Sequence, residues 1–324
     1  MHPNELWNGR SARARLTRLA LSPLSGLYAL GWEAYLGVYR LGIKRAREPH
    51  RPVVCVGNLV TGGSGKSPLT LHLAQVLREL GREVVVSCSG YGAPHAEAAT
   101  LAPDGPLNPK SWGDEPAMLR WLMPDLPLVV GRRRVLAAEI VARDHPSAVM
   151  LMDDGFQHLP LRKHVSIVID DPEPPNRLCL PAGPYREGRW NRRRANTVLP
   201  GEFQAVPGPM RFVTADGASS ELPPSYSVLC ALGQPERFVA SLSEQRPPAA
   251  ELLLPDHDPL DGGTLFEPLP ANLPVVVTAK DWVKLRERAD LGSREFIVAL
   301  RDVRVEPQDT FRAWIRDKLN GRPA

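Results

Sequence analysis

The sequence predicts an α/β protein: a P-loop NTPase-like parallel-sheet domain over 51–205, a smaller α/β domain over 206–324 and an amphipathic helical segment over 1–50. Three observations carry this. Short apolar runs alternate with helix-length amphipathic stretches from Val53 to Asp170, the pattern of parallel strands joined by covering helices. The first strand, VVCVG (53–57), opens directly into NLVTGGSGKS (58–67) and a helix start. After a Pro-, Gly- and Arg-rich stretch at 171–224, strand-like and helix-like segments resume. A chain of 324 residues is long enough for two domains at about 100–200 residues each.

Residues 16–43 are strongly apolar but interrupted by Pro23 and Glu33, and they follow Arg10, Arg13, Arg15 and Arg18. Three readings stand: a surface-lying or reentrant helical segment with Tyr28, Trp32, Tyr35 and Tyr39 at the headgroup boundary, a helix packed on the protein's own body, and a span. Spanning is the weakest, because Glu33 is costly in lipid. Next come the 53–57 strand and a helix near 68–80, where Pro68 is tolerated in the first turn because its missing N–H has no intrahelical partner there. Strands are expected at 83–89, 126–131, 147–152 and 165–170, with helices near 114–122 and 135–144. The domain connection is placed near 200–222. The later part resumes with YSVLCALGQPERFVASL (226–242), then strand-like PVVVTAKD (274–281) and FIVAL (296–300), and ends in a helix near 309–319.

The net charge of +4 is too small to argue for nucleic acid, and no recognition motif accompanies the local basic clusters. Cys55, Cys88, Cys179 and Cys230 show no metal-ligand spacing or dense disulfide framework, which reads as a reducing compartment. No cleavable signal pattern is evident.

The chemistry concentrates in a few stretches. A glycine bend before a helix turns several backbone N–H groups toward a phosphate; here Gly62, Gly63, Ser64 and Gly65 supply it. Lys66 is placed to reach β and γ phosphates, and Ser67 to hold Mg²⁺. Val60 stands where the common eight-residue pattern begins with glycine. Asp153 and Asp154 follow the apolar run VMLM, at the carboxyl end of a parallel strand where ligands of open sheets gather. Asp114 and Glu115, in WGDEP, read either as helix caps or as an acid–base group. His158 and His257 read as turn residues or as functional bases; His257 lies between Asp256 and Asp258. Arg132–Arg134 and the Arg186–Arg194 cluster read either as solvated faces or as anion binders.

The chain resembles the tetraacyldisaccharide 4′-kinase family over nearly its whole length. The resemblance rests on VGNLVTGGSGKSP, GYG, GDEP, DDGFQH, LPAGPYRE, GQPERF, PDH and TAKDWVK, in that order. It implies two P-loop-like α/β domains with an active site in their cleft, ATP and Mg²⁺ as cofactors, and an acylated disaccharide 1-phosphate as membrane-resident substrate. It implies catalytic roles for Lys66, Asp114, His257 and Asp154, metal-site roles for Ser67, Asp153, Asp154 and Glu115, and substrate contacts for Asn58, His158, Arg186 and Glu187. It also implies the cytoplasmic face of the inner membrane, contact with the membrane surface and no obligate protein partner. The chain departs from the family pattern at Gly188, where proline is usual, at Ser89 for arginine and at Ala279 for glutamate. Rival classes are another P-loop ATPase or GTPase and a non-enzymatic membrane adaptor; TAKD does not supply the usual guanine-reading order.

Overall fold

The computed structural model describes residues 3–62 and 65–321. In chain order it contains α1 (Pro3–Asn8), α2 (Ala12–Arg40), β1 (Val53–Asn58), α3 (Lys66–Glu79), β2 (Val84–Cys88), β3 (Thr100–Leu101), α4 (Pro109–Trp112), α5 (Asp114–Leu122), β4 (Leu128–Val130), α6 (Arg134–Asp144), β5 (Val149–Met152), β6 (Val165–Ile169) and β7 (Thr197–Leu199). There follow β8 (Gln204–Thr214), β9 (Ser219–Ser220), β10 (Ser227–Cys230), α7 (Pro235–Ser243), β11 (Ala250–Leu253), β12 (Val275–Thr278), α8 (Ala279–Leu285), β13 (Phe296–Glu306) and α9 (Gln308–Asn320).

Two compact units result. The first takes the chain up to Ser89, Arg133–Val206 and everything from Arg304 on; the second takes Gly90–Arg132 and Pro207–Val303. The expected boundary near 200–222 contains the crossing at Val206, but this partition differs from a division into 51–205 and 206–324. Residues 90–132 go with the second unit because Met118, Trp121 and Leu122 of α5 pack on its core. The C-terminal helix goes with the first because Phe311 and Trp314 pack against Phe203.

In the first unit, β2, β5, β1, β6 and β7 lie in that order and run parallel, with Val54 opposite both Leu151 and Val165. Every residue of β1 is buried, which explains a continuous apolar run where a half-exposed strand would alternate. Helix α3 buries Leu69, Leu73, Val76 and Leu77, spaced to one face. At Gly57 a Cβ would stand 2.5 Å from Phe156 Cβ, so only glycine admits that approach.

Helix α2 is continuous through Pro23, the residue that interrupts its apolar run. Proline removes the N–H that would bond Leu19 O; the Ser22 hydroxyl donates to that carbonyl instead, at 2.8 Å. Glu33 is not stranded in an apolar face either: it accepts from Trp190 Nε1 at 2.9 Å and from Asn191 Nδ2 at 2.5 Å. Gly188 contributes here, since a Cβ at that position would come within 2.2 Å of the Trp190 ring. The departure from proline thus accommodates the indole that bonds α2. No helix among the described residues is long and apolar enough to cross a membrane.

The second unit holds a six-stranded sheet in the order β11-β10-β12-β13-β8-β9, parallel from β11 to β13 and antiparallel between β8 and β9. Alternate residues serve two faces. Leu229, Val275, Val277 and Val298 meet Trp282 and Leu285 of α8, whereas Val228, Cys230, Val276 and Ile297 meet Tyr226 and Leu242. The TAKD segment is therefore a strand end followed by a helix start, with the Thr278 hydroxyl accepting from Asp281 N at 3.2 Å. Ala279 is buried in that core, an environment suited to alanine.

The basic cluster at 186–194 is neither a plain solvated face nor a free anion-binding surface. Asp170, with its side chain 1% exposed, accepts from Tyr185 Oη at 2.9 Å, Arg189 Nε at 2.9 Å and Arg192 Nη1 at 3.0 Å. Removing a buried carboxylate strands its donors, so Asp170→Ala is expected to destabilise the protein by about 3–5 kcal/mol in urea denaturation. Glu48→Ala, which loses the exposed Arg162 pair at 3.2 Å, is expected to cost under about 1 kcal/mol. Equal costs for the two would contradict the assignment.

Candidate active site

Two constellations stand out, one in each unit. In the first, β1 ends at Asn58 and the chain turns into the glycine bend; Gly63 and Ser64 lie outside the described residues. The start of the bend is clasped by 184–186: Thr61 N donates to Pro184 O at 2.9 Å and Arg186 N to Leu59 O at 2.7 Å. Gly65 caps α3 at φ 77°, a left-handed conformation that favours glycine. Among the described residues nothing lies within 4 Å of where a Cβ would stand at Gly62 or Gly65. Lys66 and Ser67 then open α3, at its positive end.

Asp153 and Asp154 follow β5 directly. Asp153 is buried, and its Oδ1 accepts from Thr70 Oγ1 at 2.8 Å. Asp154 has φ 50°, which turns it away from the strand path. Its carboxylate takes both nitrogens of Arg186, at 2.8 and 3.1 Å, and lies 3.7 Å from Lys66 Nζ. Burial alone would raise its pKa, but Lys66, Arg186 and Arg134 together hold it below the ordinary aspartate value. Arg186 also donates to Asn58 Oδ1.

Other expected site residues are placed differently. Glu187 is fully buried, accepting from Gln157 Nε2 at 2.9 Å and from Arg194; its expected substrate contact is replaced here by protein donors. Arg134 is not an exposed anion binder: it is buried, donating to Ser87 Oγ at 2.9 Å and Asp153 O at 2.8 Å. Arg132 lies over the Tyr91 ring at 5.5 Å.

The second unit brings Asp114 and His257 together. Asp114 is the first residue of α5, followed by Glu115 in the same turn. His257 Nδ1 stands 3.6 Å from Asp114 Oδ2, and its Nε2 lies 3.9 Å from Asp256 Oδ1 and 3.5 Å from Lys280 Nζ. This geometry suits a carboxylate that receives a proton and an imidazole that orients it. Lys284 Nζ lies 3.9 Å from Asp114 Oδ2 and 3.5 Å from the fully buried Asp281.

Sequence reasoning assigned no role to Thr70, Lys280, Asp281 or Lys284, and read Arg134 only as a solvated or anion-binding residue. A usable signal existed for two of them: Thr70 is a polar residue on the apolar face of LTLHLA, and Asp281 follows Thr278 at capping distance. The buried contacts of Arg134 and Lys284 depend on pairings distant in sequence.

Hard oxygen donors at Ser67, Thr70, Asp153 and Asp154, beside Lys66 at a helix start, fit a phosphate–Mg²⁺ group rather than a soft metal. Among the described residues no three His, Cys, Asp or Glu side chains form a metal-holding group. His158, whose Nε2 has no hydrogen-bond partner, is pushed down to about 4 by burial first, then by Lys163 and Arg134. The folded value lies below the unfolded one, so stability falls as pH drops from 6.5 toward 4. Replacing the residue, as in His158→Gln, is expected to remove about 2 kcal/mol of the stability lost between about pH 8 and about pH 5. Urea denaturation at both pH values checks this; an equal loss in the two proteins would refute it.

A family model described as Tetraacyldisaccharide-1-P 4'-kinase (LpxK) matches residues 17–320. A protein named tetraacyldisaccharide 4'-kinase from Shewanella loihica is 35% identical over 303 residues, covering 88% of each chain. Another of that name, from Aromatoleum aromaticum, is 34% identical over 315 residues, covering 90% of this chain and 91% of the relative. Among solved structures, a crystal structure of LpxK from Aquifex aeolicus in complex with ATP shares the fold, with a TM-score of 0.80 at 22% identity and coverage of 94% and 99% of the two chains. The chain therefore belongs to the tetraacyldisaccharide-1-P 4'-kinase family.

Proposed function

We propose that this protein transfers the γ-phosphoryl group of ATP to the 4′ hydroxyl of a tetraacyldisaccharide 1-phosphate, producing the 1,4′-bisphosphorylated lipid A precursor. The observation that carries the reading is the Lys66–Asp154–Arg186 arrangement beside the glycine bend, in a chain of this family. Lys66 and the backbone amides that open α3 would bind the β and γ phosphates, and Ser67, Asp153 and Asp154 would supply oxygens for Mg²⁺. When bound, Mg²⁺ offsets negative charge on the phosphates.

Asp114 accepts the proton of the sugar hydroxyl, and His257 holds the carboxylate in orientation. Phosphoryl transfer demands little covalent chemistry from the protein, so positioning and charge compensation are the main tasks. Asn58, His158 and Arg186 are assigned to the acceptor side of this chemistry, with Glu187 supporting them from the interior.

The acceptor is an amphiphile, and α2 suits access to it from the cytoplasmic face of an inner membrane. Leu16, Leu19, Leu27 and Leu30 are 65–70% exposed and fall within about 80° of helical arc. Four arginines stand at 10, 13, 15 and 18. Such a stripe with basic flanks binds an anionic bilayer surface.

Transfer of label from γ-labelled ATP to the disaccharide acceptor in detergent tests the activity. Folded protein that transfers none with both substrates present would sink the reading. The Asp114→Asn variant is expected to lower turnover about 10²- to 10⁴-fold with little change in the KM for ATP, whereas Lys66→Ala is expected to impair both. In vesicle flotation with anionic lipid, replacing Leu16, Leu19, Leu27 and Leu30 by serine is expected to abolish binding while circular dichroism stays native; undiminished flotation would reject the α2 surface.

A further inference from the structure

Lys280, Lys284 and Arg288 recur every four residues along α8 and the turn after it, about one helical turn apart. Each reaches a later point on one loop. Lys280 Nζ meets Asp256 Oδ1 at 3.0 Å, Lys284 Nζ meets Asp258 O at 2.7 Å, and Arg288 donates to Leu260 O and, at 3.0 Å, to Gly262 O. The loop carries His257.

That loop needs external fixing. His257 and Leu260 have φ of 64° and 55°, sparsely populated conformations for residues with a Cβ that persist only where surroundings impose them. Its internal support is small: Asp258 N bonds Pro255 O at 3.1 Å, and Leu260 N bonds Asp258 Oδ1 at 2.9 Å.

Lys284 differs from its neighbours on the ladder. Its side chain is 5% exposed, and the same ammonium that holds the carbonyl beside His257 stands 3.9 Å from Asp114 Oδ2. Its other neighbour, Asp281, is referenced to the sheet, accepting from Ala231 N at 3.2 Å and Thr278 Oγ1 at 2.7 Å. One buried cation thus touches α5, the His257 loop and, through Asp281, the end of β10.

We propose that Lys284 is the positioning residue of the Asp114–His257 pair, setting their separation by holding Asp114 and the carbonyl of Asp258 together, with Lys280 and Arg288 fixing the loop on either side. This rests on the acid–base reading of that pair. A test with a readout independent of turnover compares wild type, Lys284→Met and Arg288→Met by kinase kinetics and by the His257 ring signals in NMR, assigned with His257→Gln.

For Lys284→Met the expected result is a kcat lower by about 10- to 100-fold, the scale of a misplaced reacting group, with the KM for ATP within about twofold of wild type and a displaced His257 signal. A smaller fall in kcat and a displaced signal are expected for Arg288→Met. A Lys284→Met enzyme with kcat within about twofold of wild type, or with an unmoved His257 signal, overturns the proposal. If that variant does not fold, Arg288→Met decides by the same two readouts. If wild type transfers no phosphate, the functional reading fails, and the NMR comparison alone still decides whether Lys284 positions His257.

Discussion

The carboxylate of Asp154 is the constraint on which the first unit depends. It sits on left-handed backbone immediately past a fully buried strand, and two cations, Lys66 from the helix start and Arg186 from a distant segment, converge on it. Charges so arranged are stable only as a set, because removing one partner leaves another uncompensated in a partly dry environment. The same demand for compensation fits a site that receives phosphate and Mg²⁺, where the balance is redrawn without exposing a lone charge.

The segment that carries Arg186 connects this site to the N-terminal helix. Ser25 of α2 donates to Cys179 O at 2.7 Å and accepts from Ala182 N at 2.9 Å, fixing the turn that precedes the 184–186 clasp on the glycine bend. Glu33 extends the same attachment through Trp190 and Asn191. Helix α2 therefore has two unlike faces: polar residues lock it to the body, and Leu16, Leu19, Leu27 and Leu30 stay exposed. A residue such as Glu33, costly in a bilayer, is accounted for by its place on the docked face.

The second unit solves a related problem with a shorter helix. Asp114 begins α5 with Gly113 in the cap position, so of its two readings from sequence the cap falls to its neighbour, while the free backbone N–H groups of the first turn favour its anion. His257 approaches it from a loop whose conformation is imposed from α8. That division leaves the pair's geometry dependent on residues outside the motifs containing it.

The sequence alone determined β1, β2, β4, β5, β6, β12 and β13, helices α3, α5, α6 and α9, the glycine bend and the Asp114, Asp153 and Asp154 candidates, because apolar periodicity, glycine before a helix and acids at strand ends are local signals; β3, β7, β8, β9 and β11 it left unread. Family motifs added His257, Arg186 and Glu187, which local pattern left open. Tertiary structure decided what those charges face: Glu187 inward, Arg134 beneath the Asp153 backbone, Asp170 among the arginines and Lys284 between Asp114 and the His257 loop. It also decided that residues 90–132 belong with the second unit. The reason is physical: charge pairing joins residues as far apart as Glu79 and Arg312 in this chain, and no local window of sequence contains both partners of such a contact.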